Sequence, residues 1–321
     1  MPDAVHSLAA VPLFDRLAAR RRVIVAGAGG GFDVFAGLPL YLALRGAGKD
    51  VHLANLTFTY LGGTDARWLA PHVAEVTAET SGEDGYFPER RLAEWLRARG
   101  EPAPVYAFEK VGVAPLRRAW QTLVERLEPD AVVLVDGGTD ILMRGDEAGL
   151  GTPAEDMVSL AAVSGLDVAE RLVVCLGFGV DTFHGVCHAH FLENVAALAR
   201  AGGFLGAFSL LREMPEAQGF LDAVAFAEER TPARPSIVNG SIAAAVGGRF
   251  GDVDLGERTR SSELFINPLM TLFFAFDLAA VAAASLYLPL LEGTRSIFEV
   301  QARIEGFRKS VAIRPRRAIP H

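Results

Sequence analysis

Cysteine is scarce in this chain. Cys175 and Cys187 are the only two in 321 residues, too few for a disulfide framework and in keeping with a reducing, cytoplasmic compartment. Positive charge is short as well: 31 Lys and Arg stand against 39 Asp and Glu, a net charge of −8. A protein that grips nucleic acid by neutralising phosphates runs the other way, so nucleic acid is not an expected partner. There is no low-complexity tract, internal repeat or linker-like stretch, and half the residues are apolar. Such a composition builds a core. A serine nucleophile elbow, a phosphate-binding P-loop, the kinase signatures and a CxxC pair are all missing, which removes support for those classes. The first 22 residues lack a basic stretch followed by an apolar run, so they do not read as a secretory signal. One apolar run, residues 269–291, has the length of a membrane span. It contains Asp277 and Pro289, which are costly in hydrocarbon. It reads instead as a buried strand over 269–276 entering an Ala-rich helix over 278–286, and no membrane partner is expected.

Short apolar runs of strand type lie at 22–26, 51–56, 105–108, 131–135, 172–176 and 204–209, with a weaker one at 74–77. Between them fall helical patterns over 35–45, 89–98, 114–127, 153–162 and 183–201. Strands that are apolar throughout and separated by helices predict an α/β fold of Rossmann-like type, with a mostly parallel sheet and helices on both faces. One domain over 1–321 is expected, its part from 231 onward being either an extension of the sheet or a cap. The apolar excess there is either core or a face for a second copy of the chain, a homo-oligomer. The basic tail, with Arg308, Lys309, Arg314, Arg316 and Arg317, reads as a solvated end.

Three of the strand-type runs lead into glycine and then aspartate: Gly29-Gly30-Gly31-Phe32-Asp33, Asp136-Gly137-Gly138-Thr139-Asp140, and Gly177-Phe178-Gly179-Val180-Asp181. A late one ends Phe276-Asp277. In an open parallel sheet, ligands bind beyond the carboxyl ends of the strands. Glycines there let amide groups approach an anion, and an aspartate there caps a helix, holds a metal or moves a proton. These loops are expected to form one site. Gly29, Gly30 and Gly31 would bind a phosphate or carboxylate. Asp33, Asn55, Gly137, Gly138, Thr139, Asn239 and Asp277 would contact the substrate. A dinucleotide fingerprint is poorly met, because Phe32 stands where the third glycine belongs and the second strand ends in Asn55.

The next segment is crowded with acids. Asp146 and Glu147 follow Arg144, and Glu155 and Asp156 follow Pro153. Neighbouring acids repel unless a cation, a basic substrate group or an arginine relieves them. Asp136, Asp140 and Asp146 are the candidate ligands of a divalent metal, and Arg144 and Glu147 the candidate substrate contacts. Glu155 and Asp156 equally suit the first turn of a helix. In Asp181-Thr182-Phe183-His184-Gly185-Val186-Cys187-His188-Ala189-His190, a helix would place His184 and His188 on one face. Asp181, His184, His188 and Asp136 are the candidate catalytic groups, with metal ligation and a structural role as alternatives for the histidines. Both cysteines read as packed thiols. Tyr86–Arg90 is a candidate lid.

The glycine loop from Gly27, the HLANLTF run from His52, the DGGTDILMRGDEAGLGTPAEDM segment from Asp136 and the GFGVDTFHGVCHAHFLENVAAL segment from Gly177 resemble the DUF1152 family of bacterial and archaeal proteins. The resemblance spans about residues 13–307 and implies a Rossmann-like fold. It brings no activity, cofactor or site residue with it. The residues themselves lead to an enzyme acting on a small polar metabolite by acid/base, metal-assisted hydrolysis or group transfer. Two alternatives stay open: an enzyme using NAD(P) or S-adenosylmethionine, and a non-catalytic sensor of a nucleotide-like ligand.

Overall fold

The computed structural model describes residues 7–253 and 264–319. The strands are β1 (Arg22–Gly27), β2 (Asp50–Leu56), β3 (Arg67–Ala70), β4 (Val73–Val76), β5 (Val105–Phe108), β6 (Ala131–Asp136), β7 (Glu170–Cys175), β8 (Phe204–Ser209), β9 (Gly251–Asp252), β10 (Phe265–Ile266) and β11 (Leu272–Asp277). Nine of them make one sheet in the order β3-β4-β5-β2-β1-β6-β7-β11-β8, and β9 and β10 pair separately. The centre, β5-β2-β1-β6-β7, is parallel. In chain order these strands run 3-2-1-4-5, the arrangement of a doubly wound fold. The chain reverses its direction of travel across the sheet between β1 and β6. A ligand crevice is therefore expected beyond the ends of those two strands.

Alternation along each strand builds two cores. Ile24 and Ala26 of β1 face one layer, with α5 (Val113–Leu127), α6 (Pro153–Ser164), α7 (His188–Arg200), α10 (Leu278–Ala284) and α11 (Ile297–Ser310). Val23 and Val25 face the other, with α1 (Pro12–Leu17), α2 (Asp33–Ala36), α3 (Leu38–Gly46), α4 (Pro88–Ala98), α8 (Pro215–Arg230) and α9 (Ile237–Val246). Successive strand side chains point to opposite faces, so a run such as Val23-Ile24-Val25-Ala26 must be apolar throughout. Proline opens α1, α3, α4, α6 and α8, where its missing N–H is no loss and its fixed φ suits the first turn.

Several elements differ from the sequence expectation. The helix expected over 35–45 is broken at Gly37, which lies against Val25, and Pro39 at the start of α3 supplies no amide for a continuous ladder. Residues 180–184 form a short 3-10 turn, Gly185 sits at φ 93°, and α7 begins only at His188. His184 and His188 therefore do not share a helix face. β11 runs antiparallel to both β7 and β8, pairing Asp277 with Leu172 near the start of β7. Asp277 thus lies at the opposite edge of the sheet from the glycine loops. There it caps α10 through Ala280 N and meets Arg16.

The tail is solvated only in part: Lys309, Arg316 and Arg317 are exposed, but Arg308 and Arg314 are docked. Arg314 pairs with Asp146, Glu147 and Glu193, and Arg308 donates to the Gly145 and Glu147 carbonyls. Among the described residues no helix is long and apolar enough to cross a membrane.

Candidate functional site

Five aspartates converge beyond the carboxyl ends of β1, β6 and β7, and each is fixed by a different turn. Asp33 opens α2 and accepts a hydrogen bond from Gly29 N at 2.7 Å. Asp136 ends β6 and accepts from Ile141 N at 3.1 Å. Asp140 accepts from the amide and hydroxyl of Thr152 at 2.7 and 3.2 Å. Asp181 accepts from the amide and hydroxyl of Thr139 at 2.6 and 3.1 Å. Asp156 projects from the first turn of α6, is 1% exposed, and its Oδ1 has no hydrogen-bond partner among the described residues. One carboxylate oxygen each from Asp33, Asp136 and Asp156 lie within 4.8 Å of one another.

Glycines make this crowding possible. A Cβ on Gly29 would lie 2.8 Å from the carboxylates of both Asp33 and Asp156. One on Gly137 would lie 2.8 Å from Asp33 Oδ1, and one on Gly138 2.8 Å from Asp181. A Cβ on Gly151, at φ +71°, would collide with the Asp140 carboxylate. Of the glycines read from the sequence as substrate contacts, Gly29, Gly137 and Gly138 thus give room to carboxylates. The amides of the first loop are directed inward as well. Those of Gly29, Gly30 and Gly137 stabilise the ionised Asp33, and Gly31 N donates to Leu56 O at 3.1 Å. The loop cradles the chain's own Asp33 with the amides that would otherwise meet a ligand anion.

The electrostatics follow from burial. Desolvation pushes Asp33 up to about 7, with Asp140 adding to it and the surrounding amides opposing. Burial and then the neighbouring carboxylates hold Asp136 and Asp156 well above the usual carboxylate range. Asp181 is raised in the same way, against the pull of Thr139. Asp140 is raised by burial, while Thr152 and then His184 draw it back. Among the described residues no Lys or Arg forms an ion pair with any of the five. The nearest basic arrangement at the rim is Lys110, which lies over the Phe58 ring at 5.1 Å and pairs with Glu155 at 3.4 Å. Phe58 in turn packs on Gly30 and Gly31.

The remaining sequence candidates fall elsewhere. Asp146 is bound by Arg314 at 2.8 Å, and Arg144 lies on that side too. Glu147 is fully buried and accepts from the amides of Arg144 and Gly145, from Asn194 and from Arg314. Its bonds are those of a tie between the acidic loop, α7 and the tail. Asn55 is buried and donates to Gly31 O at 2.8 Å and to Glu89 at 2.6 Å. Asn239 donates to Phe32 O at 2.9 Å, bracing the loop from α9. His184 is exposed at the rim. His188 stacks on Phe178 at 4.8 Å, and burial lowers its pKa.

Two groups were not singled out from the sequence. Asp156 was visible as an acid in a first helical turn, but capping and ligation use the same residue type. Glu89 lies in the segment read as a lid. That segment is instead packed inward, with Phe87, Glu89 and Arg90 all buried. Desolvation pushes Glu89 up to about 7, and Oε2 has no hydrogen-bond partner among the described residues.

A family model described as a protein of unknown function, DUF1152, matches residues 64–309. No curated protein matches the chain.

Proposed function

The chain belongs to the DUF1152 family, and from the geometry of its site we propose a divalent-cation-dependent enzyme that carries out hydrolysis or group transfer on a small phosphate- or carboxylate-bearing metabolite. The observation that carries this reading is the set of four buried aspartates, with the half-buried Asp33 beside them, that form no ion pair among the described residues, one of the buried four having an unpartnered oxygen. Buried acids held for structure alone come with partners, because an unpaired buried charge is strongly unfavourable. Asp33, Asp136 and Asp156 would hold the cation. Three carboxylates with no sulfur or imidazole among them suit hard, oxygen-seeking Mg²⁺ or Mn²⁺. When bound, such an ion polarises a phosphoryl or acyl oxygen and makes a bound water more acidic.

The chain's own residues supply the rest. Thr139 and Thr152 hold Asp181 and Asp140 against the cluster. Asp181 Oδ2 is engaged by Thr139, leaving Oδ1 to carry a proton. Its raised affinity for that proton suits a general acid at neutral pH. His184 stands exposed at the rim, close enough to act on Asp140. The two unpaired cysteines fit a cytoplasmic setting, and the expected partner is a small molecule.

A second reading has one observation in its favour. Doubly wound sheets of this 3-2-1-4-5 order bind nucleotide cofactors at this edge. Against it, the end of β2 offers no free carboxylate for a ribose, because Asn55 is buried and bonded to Gly31 and Glu89. The test is a turnover screen of phosphorylated and carboxylated metabolites with Mn²⁺ or with EDTA. Turnover that needs Mn²⁺ and falls about a hundredfold or more in Asp136→Asn supports the reading. Turnover indifferent to EDTA, or tight binding of NAD(H) or S-adenosylmethionine without metal, overturns it.

A further inference from the structure

If the glycine loop holds its own aspartate, the anionic part of a substrate needs another seat. We infer that this seat is the pocket between the Gly179–Asp181 turn and the C-terminal tail, and that it takes a phosphate group through Arg316, Arg317, Asn267 and His188. The inference rests on the cation-dependent reading above and extends it to substrate class.

The pocket has a volume of about 430 Å³, within the range of small-molecule sites. Its lining includes Thr182, Arg316 and Arg317 and, among the described residues, no carboxylate. That is unusual in a chain of net charge −8. Arginine presents a planar fork of donors matched to phosphate oxygens.

The inner wall is polar and incomplete. A Cβ on Gly179 would lie 2.7 Å from His188 Nε2 and 3.7 Å from Asn267 Nδ2. Glycine there gives room to the His188 ring, and Asn267 Nδ2, which donates to Phe265 O at 3.1 Å, lies close by. His188 Nε2 has no hydrogen-bond partner among the described residues, and its ring stacks on Phe178. An oxyanion on this wall would satisfy it. The wall also carries the start of the 13-residue α7, whose positive end favours an anion.

The tail is anchored where the pocket needs it. Arg314 is fixed by Asp146 and Glu147, Arg316 donates to Gly185 O at 3.2 Å, and the Cys187 thiol donates to Arg317 O at 3.1 Å. Thr182, on the pocket wall, directly follows Asp181, whose carboxylate faces Thr139 in the cluster. The Asp181–Thr182 step thus joins the cluster to the pocket wall.

The test titrates inorganic phosphate into metal-free protein by calorimetry and, separately, Mn²⁺ without phosphate. The proteins are the wild type, the double variant Arg316→Ala/Arg317→Ala, and Asn267→Asp. The last keeps an acceptor for Leu269 N and gives up the bond to Phe265 O, while placing a negative charge on the pocket wall. The expected result is phosphate binding by the wild type, weakened about tenfold or more in both variants, with Mn²⁺ affinity and melting midpoint unchanged. Equal phosphate affinity in all three proteins overturns the inference. So does an absence of phosphate binding by the metal-free wild type, including binding that appears only with Mn²⁺ and is lost in Asp136→Asn. Loss of phosphate binding in the variants beside a wild type that never binds Mn²⁺ would overturn the cation reading and leave the pocket standing.

Discussion

The two edges of the parallel sheet treat carboxylates in opposite ways. At the edge where the strands begin, Glu170 is met by Arg16 at 2.5 Å and Arg20 at 3.6 Å, and Asp277 by Arg16 at 3.1 Å. Behind the crevice the fully buried Glu147 has Arg314 and three further donors. At the edge where the strands end, Asp33, Asp136, Asp140, Asp156 and Asp181 share a buried space, hydrogen-bonded in part but without an ion pair among the described residues. Fold stability alone explains the first group. It does not explain the second, because gathering like charges out of water raises the energy of the folded state. The cation proposed above would supply the compensating charge that the second group lacks.

The contrast can be broken by mutation. The largest effect is expected where a structural carboxylate is removed. Glu147→Ala leaves the Arg144 and Gly145 amides without their acceptor and takes one acceptor each from Asn194 and Arg314, and it should lower stability by about 3–5 kcal/mol in chemical denaturation.

An effect of comparable size, of opposite sense, is expected with pH. Asp33 and Glu89 are pushed up to about 7 in the fold, far above an unfolded carboxyl near 4. Between those values the folded state binds more protons than the unfolded one. The stabilisation is complete below pH about 4 and is lost as pH rises through about 7, at up to about 1.4 kcal/mol per pH unit for each group. Metal-free protein should therefore be more stable at pH 5 than at pH 7.5, and saturating Mn²⁺ should flatten or reverse that trend.

The smallest effect sharpens the comparison most. Asp140→Asn removes one of the repelling charges and keeps an acceptor for Thr152. It should stabilise metal-free protein by about 1 kcal/mol, whereas Glu170→Gln at the other edge should destabilise it by a similar amount. If both substitutions shift the denaturation midpoint in the same direction, the two edges do not differ as argued here.

The central strands and the loops that leave them were readable because fully apolar runs such as 131–135 and glycine-aspartate punctuation are local signals. Asp33 and Asp136 were found in that way, and they come together in the structure with Asp156. The direction of β11 was not readable, since an apolar strand has the same pattern whether parallel or reversed. Asp277 was consequently assigned to the wrong edge. His184 and His188 were paired on a helix that Gly185 prevents. The docking of Arg314 onto Glu147 joins residues far apart in sequence, and a run of basic residues near a terminus carries no trace of such a partner.

The most direct measurement is Mn²⁺ binding at pH 7.5, followed by the electron spin resonance of the free ion, for the wild type, Asp156→Asn and Glu170→Gln. The account predicts saturable binding by the wild type and Glu170→Gln, and an affinity lower by tenfold or more in Asp156→Asn, where a carboxylate ligand is lost. Equal affinity in all three proteins, or none in the wild type, would contradict it.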